Sequence, residues 1–320
     1  MLAASTANGQ DVVHLKADDS GAGSTKQSGE ILDYTGRELR LRLSTGKERT
    51  IPAERVASIS TKYSPEQIAA DALFAKRDFA GALEQYRAAL GREKDSREWV
   101  RRQILAQIVW CQRSLGQTQQ AVSTFLTLIE RDPTTQYFDC IPLAWLPAQA
   151  PAGFEKKARA WLARDQSAAA QLIGASYLLA TDRALAVERL QRLANDSDSR
   201  IARLAEAQLW RANSFNVPDG ELGRRMRGIG NIPAPLRAGP YFSVGSVMAM
   251  RRPEDAALVL LRVPILYSRE RALSAAALLL AGDCLEKAGQ ADEAATLYKE
   301  LVTDHQGAPE AVDASARLRQ

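Results

Sequence analysis

Apolar residues recur along most of the chain at intervals of three and four positions, the period of an amphipathic α-helix. The pattern is clearest in three segments of similar design, residues 69–90, 108–133 and 281–304. In each segment a first helical stretch is followed by a short polar turn and a second helical stretch. The pattern therefore predicts three helical hairpins, with helices continuing over nearly all of residues 63–320.

The three hairpins share small and aromatic residues at fixed distances from the turn. The turn residues are Arg77, Gly116 and Gly289. The residues shared before and after the turn are Ala70, Val109 and Gly282, then Ala82, Ala121 and Ala294, then Tyr86, Phe125 and Tyr298, then Ala89, Leu128 and Leu301. An alanine at a helix crossing lets two backbones approach closely, and the aromatic ring fills the space between neighbouring hairpins. We therefore expect all of these side chains to be buried.

The arrangement resembles the tetratricopeptide repeat, a helical hairpin with a period of about 34 residues. The second copy matches best because Pro133 closes its second helix, whereas the first copy has Arg77 in place of the usual glycine. Residues 195–213, with Asp198 or Ser199 as the helix N-cap, resemble a HEAT repeat. These resemblances imply an α-solenoid of helical hairpins that holds a protein or peptide partner on its concave face.

Residues 11–62 carry shorter apolar stretches that favour β-strands. Five such stretches, separated by polar or glycine-rich turns, lie at 12–16, 29–35, 38–45, 48–52 and 55–61. Strands this short form a small barrel more readily than an open sheet, because closure removes exposed edges. Their order resembles Sm-like and SH3-like barrels. The predicted fold class is mainly α, with a small all-β barrel at residues 11–62 followed by a TPR/HEAT-like α-solenoid at 63–320.

Residues 1–10 are small and mostly polar, and two interpretations remain open. They are either a disordered tail or the remnant of a signal peptide, with a small-residue cleavage site at Ser5, Thr6 and Ala7. The end of the third hairpin, which runs into Pro309 and Glu310, resembles tetratricopeptide proteins of the bacterial cell envelope. That resemblance implies a periplasmic or exported protein, and the cytoplasm is the alternative.

Charge is unevenly distributed along the chain. The formal net charge is +4, but residues 220–271 alone contain nine arginines and four acidic residues. Because residues 217–240 are rich in glycine and proline, we predict an irregular connection there. Its arginines make a candidate surface for an anion or acidic partner: Arg224, Arg225, Arg227 and Arg237. The alternative is a solvated linker whose arginine stems cover apolar surface.

The sequence shows no arrangement of residues typical of catalysis. It has two histidines and three cysteines, without metal-ligand spacing and without a recognisable nucleophile or phosphate-loop motif. No apolar run is long enough to span a membrane. We expect no catalytic activity, no cofactor and no metal. The cysteines at equivalent places in two hairpins, Cys111 and Cys284, are expected to be small buried residues.

Candidate partner contacts lie on the first helices but away from the packing positions. They are Phe74, Trp110, Arg113, Asp283 and Glu286, and burial against the next hairpin is the alternative for Trp110. The sequence thus predicts a non-enzymatic interaction scaffold. The alternative function is RNA or anion binding through the barrel and the arginine-rich segment 220–271, although nucleic acid is the less expected partner.

Overall fold

The structure, a computed structural model, describes residues 10–17, 25–91, 97–146, 153–214 and 216–319. It contains an antiparallel sheet followed by helices, in agreement with the predicted fold class. Packing divides the chain into two compact units, and the division falls between Pro142 and Leu143. Apart from Gln10, the predicted tail or signal-peptide remnant lies outside the described residues.

The sheet has five strands close to the positions that the sequence predicts. They are β1 (Asp11–Leu15), β2 (Lys26–Tyr34), β3 (Glu38–Arg42), β4 (Glu48–Pro52) and β5 (Val56–Ser60), in the order β4-β3-β2-β1-β5. The long β2 pairs with β1 through its first half and with β3 through its second half, and its register with β3 shifts between Ile31 and Asp33. Such a shift bends a strand and increases its twist. The described strand pairs do not include β4 with β5, so closure into a barrel remains a prediction.

Two helical hairpins complete the first unit. Their helices are α1 (Pro65–Ala75), α2 (Phe79–Gly91), α3 (Glu98–Ser114) and α4 (Thr118–Arg131), and each packs against the next. Helix α1 begins where Ser64 accepts a hydrogen bond from the backbone N–H of Gln67 and Pro65 occupies the first turn.

Sheet and hairpins in this unit share one hydrophobic core. Leu39 and Leu41 from the sheet belong to the same buried cluster as Tyr86 and Trp99 from the helices. The domain boundary near residue 62, which the change of secondary structure suggests, stays a prediction, and side-chain packing is continuous across that position.

The second unit is a run of helices in which each hairpin packs on its neighbours. They are α5 (Glu155–Leu162), α6 (Ala168–Leu178), α7 (Arg183–Leu193), α8 (Ser199–Ala212), α9 (Asp219–Ile229), α10 (Ala238–Met248), α11 (Pro253–Leu260), α12 (Arg262–Leu266), α13 (Arg271–Lys287), α14 (Ala291–Asp304) and α15 (Pro309–Arg317). Asp198 caps α8 by accepting a hydrogen bond from the N–H of Arg200. Helix α11 ends at Leu260 and α12 begins at Arg262, because the ring of Pro264 conflicts with the carbonyl four residues earlier.

The predicted repeat positions are confirmed by burial. Ala82, Ala121 and Ala294 are 0% exposed, and the three aromatic residues are at most 2% exposed. The turn residues also share a backbone conformation, since φ is 64° at Arg77, 68° at Gly116 and 79° at Gly289. The three hairpins are therefore equivalent in packing and in turn geometry.

The prediction of an irregular connection over residues 217–240 is wrong for its first half, which forms α9. Leu222, Arg225 and Ile229 lie at helical spacing and are buried on one face. Glycine inside a helix costs only about 1 kcal/mol per residue, so burial of this face outweighs the loss. Prolines delimit the helix, with Pro218 at its N-cap and Pro233 beyond its end.

Candidate functional site

The predicted contact residue Asp283 takes part in a hydrogen bond that is found within two of the three hairpins. The Tyr298 hydroxyl donates a hydrogen bond of 2.9 Å to Asp283 Oδ1, and the Tyr86 hydroxyl donates one of 2.5 Å to Asp71 Oδ1. In both hairpins the aspartate precedes the tyrosine by 15 residues. The second hairpin has Phe125 without a hydroxyl, and Trp110 stands where the aspartate would be. Burial, followed by the hydrogen bond to Asp283, raises the pKa of Tyr298.

The sequence contained a signal for this pair, since Asp71 and Asp283 follow the aligned positions Ala70 and Gly282. From the sequence, Asp283 is instead expected to contact a partner at the surface. In the structure it links the two helices of its own hairpin.

Asp283 and Glu286 both face a cation of the last helix. Arg317 Nη2 lies 3.3 Å from Asp283 Oδ1, and Arg317 Nη1 lies 3.7 Å from Glu286 Oε2. These ion pairs are partly exposed, so they contribute little to stability. Both acidic side chains of α13 already have a cationic neighbour, so a basic group of a partner would compete with Arg317 for them.

The other predicted contact residues of the first unit are partly or fully engaged by neighbouring side chains. Phe74 is half-buried and packs edge-to-face on Phe79 at a centroid distance of 5.3 Å. Trp110 is only 5% exposed, which agrees with the alternative of burial. The Arg113 guanidinium stacks over the Trp110 ring at 4.4 Å. Phe74 and Arg113 each keep some exposed surface, whereas the indole of Trp110 does not form an open contact surface.

The candidate anion surface is largely neutralised by its own helix and loop. Arg225 is 6% exposed and lies 3.1 Å from Glu221 Oε1, and Arg224 Nη2 lies 2.7 Å from Glu221 Oε2. Burial acts to raise the pKa of Glu221, but hydrogen bonds from Arg225 and Arg224 outweigh it and lower that pKa. Arg237 donates to the carbonyls of Ile232 and Gly230, whereas Arg227 is exposed.

Arg225 is therefore a structural residue. Its Nη1 and Nη2 donate to the carbonyls of Trp210 and Asn213 at the end of α8, at 3.3 and 3.0 Å. Arg225 is buried and so does not belong to the exposed part of the candidate anion surface; its guanidinium satisfies helix-end carbonyls and stabilises the packing of α9 on α8.

Two surface features were not found from the sequence. A groove of about 400 Å³ is lined by Leu83, Glu84 and Arg87 of α2 and by Leu115 and Gln117. On α11 and α12, Leu258, Ile265 and Leu266 are more than 60% exposed and lie at helical spacing. The sequence predicts helices over this stretch, but periodicity alone does not show which apolar positions the neighbouring helices leave uncovered.

The described residues show no group of three or more His, Cys, Asp or Glu placed to hold a metal ion. Cys111 and Cys284 are both 0% exposed, as the repeat alignment predicts, and burial raises the pKa of Cys111 to about 12. A thiol of that kind is a poor nucleophile. No helix in the described part of the chain has the length and apolar character needed to cross a membrane.

Comparison with protein families supports the assignment of the repeats. The tetratricopeptide repeat family model matches residues 107–135 and 276–307, which overlap the second and third hairpins. No similar protein was found among curated proteins. Together with the shared burial and turn geometry, the two matches support the assignment of the second and third hairpins as tetratricopeptide repeats.

Proposed function

We propose that this chain is a non-enzymatic scaffold that holds a polypeptide partner on the face made by the first helices of its hairpins. The observation that carries the proposal is the repeated hairpin, with equivalent buried alanines and aromatic residues and a match to the tetratricopeptide repeat. Stacked hairpins of this kind present extended surfaces suited to a peptide or a helix.

The residues that remain available on the first helices favour a mixed apolar and charged contact. Ile68 on α1 is 58% exposed, and Phe74 on the same helix is partly exposed. In the last hairpin Glu286 of α13 is exposed beside Arg317. An apolar side chain of a partner fits Ile68 and Phe74 in the first unit, and separately a basic side chain of a partner fits Glu286 in the second unit.

The proposal extends to the N-terminal sheet and to location. The order β4-β3-β2-β1-β5, with a 3-10 turn at 53–55 between β4 and β5, is consistent with a small SH3-like barrel. The resemblance of residues 297–318 to envelope tetratricopeptide proteins supports a periplasmic or exported protein. Anion or RNA binding by the arginine-rich segment is the weaker alternative, because Arg224, Arg225 and Arg237 already have partners within their own unit.

Site-specific photocrosslinking of the full chain in cells tests the scaffold proposal. A photoreactive amino acid is introduced at Ile68 and Glu286 on first helices, and at Thr127 and Lys299 on second helices as matched controls. We expect one discrete polypeptide to crosslink at the first-helix positions and to be absent from the controls.

A substitution then connects the crosslink to binding. Ile68→Asp should reduce capture of that polypeptide, whereas Val312→Asp, at an exposed apolar position of α15, should not. Crosslinking confined to the second helices, or no polypeptide adduct at any of the four positions, would contradict the proposal.

A further inference from the structure

Arg211, near the end of α8, is a partly buried cation held by one of its nitrogens. Its Nη1 donates to the carbonyls of Ala144 at 2.6 Å and Ser176 at 3.3 Å, and to Gln208 Oε1 at 2.5 Å. Gln208 is 0% exposed and donates in turn to the Ala144 carbonyl at 3.1 Å. These bonds fix the position and orientation of the guanidinium.

Arg211 differs from the buried Arg102 and Arg225 in having no carboxylate partner among the described residues. Arg102 pairs with Asp33, and Arg225 pairs with Glu221. The hydrogen bonds of Arg211 all come from Nη1, so Nε and Nη2 have no acceptor in the described part of the chain. Arg211 is partly exposed, and neither nitrogen is among the buried side-chain atoms without a partner in the described part of the chain, so a ligand can approach this side chain from solvent.

A purely structural role explains only part of this arrangement. The Ser176 carbonyl belongs to the last turn of α6, whose partial negative charge favours a cation. A helix end supplies only about half an elementary charge, and it faces Nη1 rather than the other two nitrogens. Burial lowers the pKa of Arg211 to about 10, so the protein environment compensates the charge incompletely.

We propose that the Nε and Nη2 edge of Arg211 binds the carboxylate group of a ligand. Two parallel N–H donors on one planar edge match the two oxygens of a carboxylate. One negative charge also balances one guanidinium, whereas a phosphate of nearly two charges would need a second cation. The contacts of Arg211 among the described residues supply no such cation. This site lies outside the matched tetratricopeptide repeats and does not depend on the proposed function.

The first test compares sodium acetate with sodium chloride at equal ionic strength on the full chain. Acetate should shift the Nε–H NMR signal of Arg211 and raise the unfolding temperature, because a ligand of the native state stabilises it. Arg211→Gln should weaken acetate binding about tenfold or more, since the loss of a charge-assisted pair is at least that large. Arg203→Gln on the exposed face of the same helix is the matched control and should bind acetate normally.

Arg211→Lys keeps the positive charge but removes the planar pair of N–H donors, so the variant should fold and still lose most acetate binding. If Arg211→Lys binds acetate as well as the wild type does, or if acetate and chloride give the same Arg211 Nε–H signal, the proposed carboxylate site is wrong. Sulfate that shifts the Nε–H signal where acetate does not would also overturn it.

The source of the carboxylate is then resolved with three short peptides: N-acetyl-trialanine with a free carboxyl terminus, its amide, and an amidated peptide with one internal glutamate. Tighter binding of the first peptide identifies a chain terminus, and tighter binding of the third identifies an acidic side chain. Acetate that binds as well as either peptide identifies a small free carboxylate. If neither acetate nor any of the peptides binds while the wild-type protein is folded, the inference is wrong, and the scaffold proposal is unaffected.

Discussion

Single residues decide the geometry of the hairpin turns. Gly116 and Gly289 have positive φ, and a Cβ added at either glycine would meet no atom within 4 Å. Glycine is therefore preferred there for backbone conformation alone. Arg77 adopts the same conformation with a side chain, which strains the first hairpin turn.

Substitution of these turn residues should change stability in opposite directions. Gly116→Ala should lower the free energy of unfolding by about 1 kcal/mol, and Arg77→Gly should raise it by about 0.5–1 kcal/mol. The control is Gly220→Ala in α9, where the added Cβ also meets nothing but φ is helical, so this change should stabilise. Chemical denaturation measures all three, and an equal effect of the two Gly→Ala changes would contradict the argument.

At the scale of helices, the packing of small residues at crossings holds the hairpins together. Ala121 and Ala294 are fully buried at equivalent places, so a larger side chain has no room there. Ala121→Leu and Ala294→Leu should each lower the free energy of unfolding by about 1–3 kcal/mol. Ala291→Leu, at an exposed position of α14, is the control and should change it little. Unchanged denaturation midpoints for both buried alanines would show that the repeat alignment is wrong.

Helix α9 shows how one buried arginine anchors an element rich in glycine. Arg225→Gln should lower the free energy of unfolding by about 1–3 kcal/mol, because the carbonyls of Trp210 and Asn213 and the carboxylate of Glu221 lose the hydrogen bonds that Arg225 donates. Arg227→Gln, two residues along the same helix and exposed, should leave it nearly unchanged. Thermal unfolding followed by circular dichroism compares the two variants. Equal losses of stability in both would contradict the anchoring role of Arg225.

At the scale of the molecule, the sheet and the first two hairpins behave as one packing unit. Arg102 of α3 is 5% exposed and donates to Asp33 and to the carbonyl of Tyr34 in β2. The N–H of Gly36, in the turn after β2, donates to Asp132 Oδ2 at the end of α4. A Cβ on Gly36 would lie 1.6 Å from the Thr134 carbonyl oxygen, so only glycine fits there.

Gly36→Ala should therefore destabilise the strands and the helices together. We expect a loss of about 1–3 kcal/mol, because the turn cannot accept the methyl group without moving off Thr134. Hydrogen exchange should show parallel loss of protection in β2, β3, α3 and α4. Gly91→Ala at the end of α2, where the added Cβ meets no atom, serves as the control. Loss of protection in the strands alone would mean that sheet and hairpins unfold independently.

Local periodicity was enough to place the main elements. The two-residue period of apolar positions distinguished the strands from the helices. The spacing of Ala121, Phe125 and Leu128 identified the buried face of α4. These features depend on neighbours a few residues away, so the sequence specifies them directly. Helix α9 is the exception, because its Gly and Pro content suggests a loop although Leu222, Arg225 and Ile229 form a buried helical face.

Tertiary structure alone decided which charged and aromatic side chains have partners. Arg102 meets Asp33 across 69 residues, and Arg211 meets Ala144 across 67. Such contacts produce no periodic pattern in the sequence, because they depend on how distant elements pack rather than on local propensity. For the same physical reason, the sequence determined the hairpin architecture of this protein, whereas only the packed structure distinguished the anchored Arg225 from the incompletely compensated Arg211.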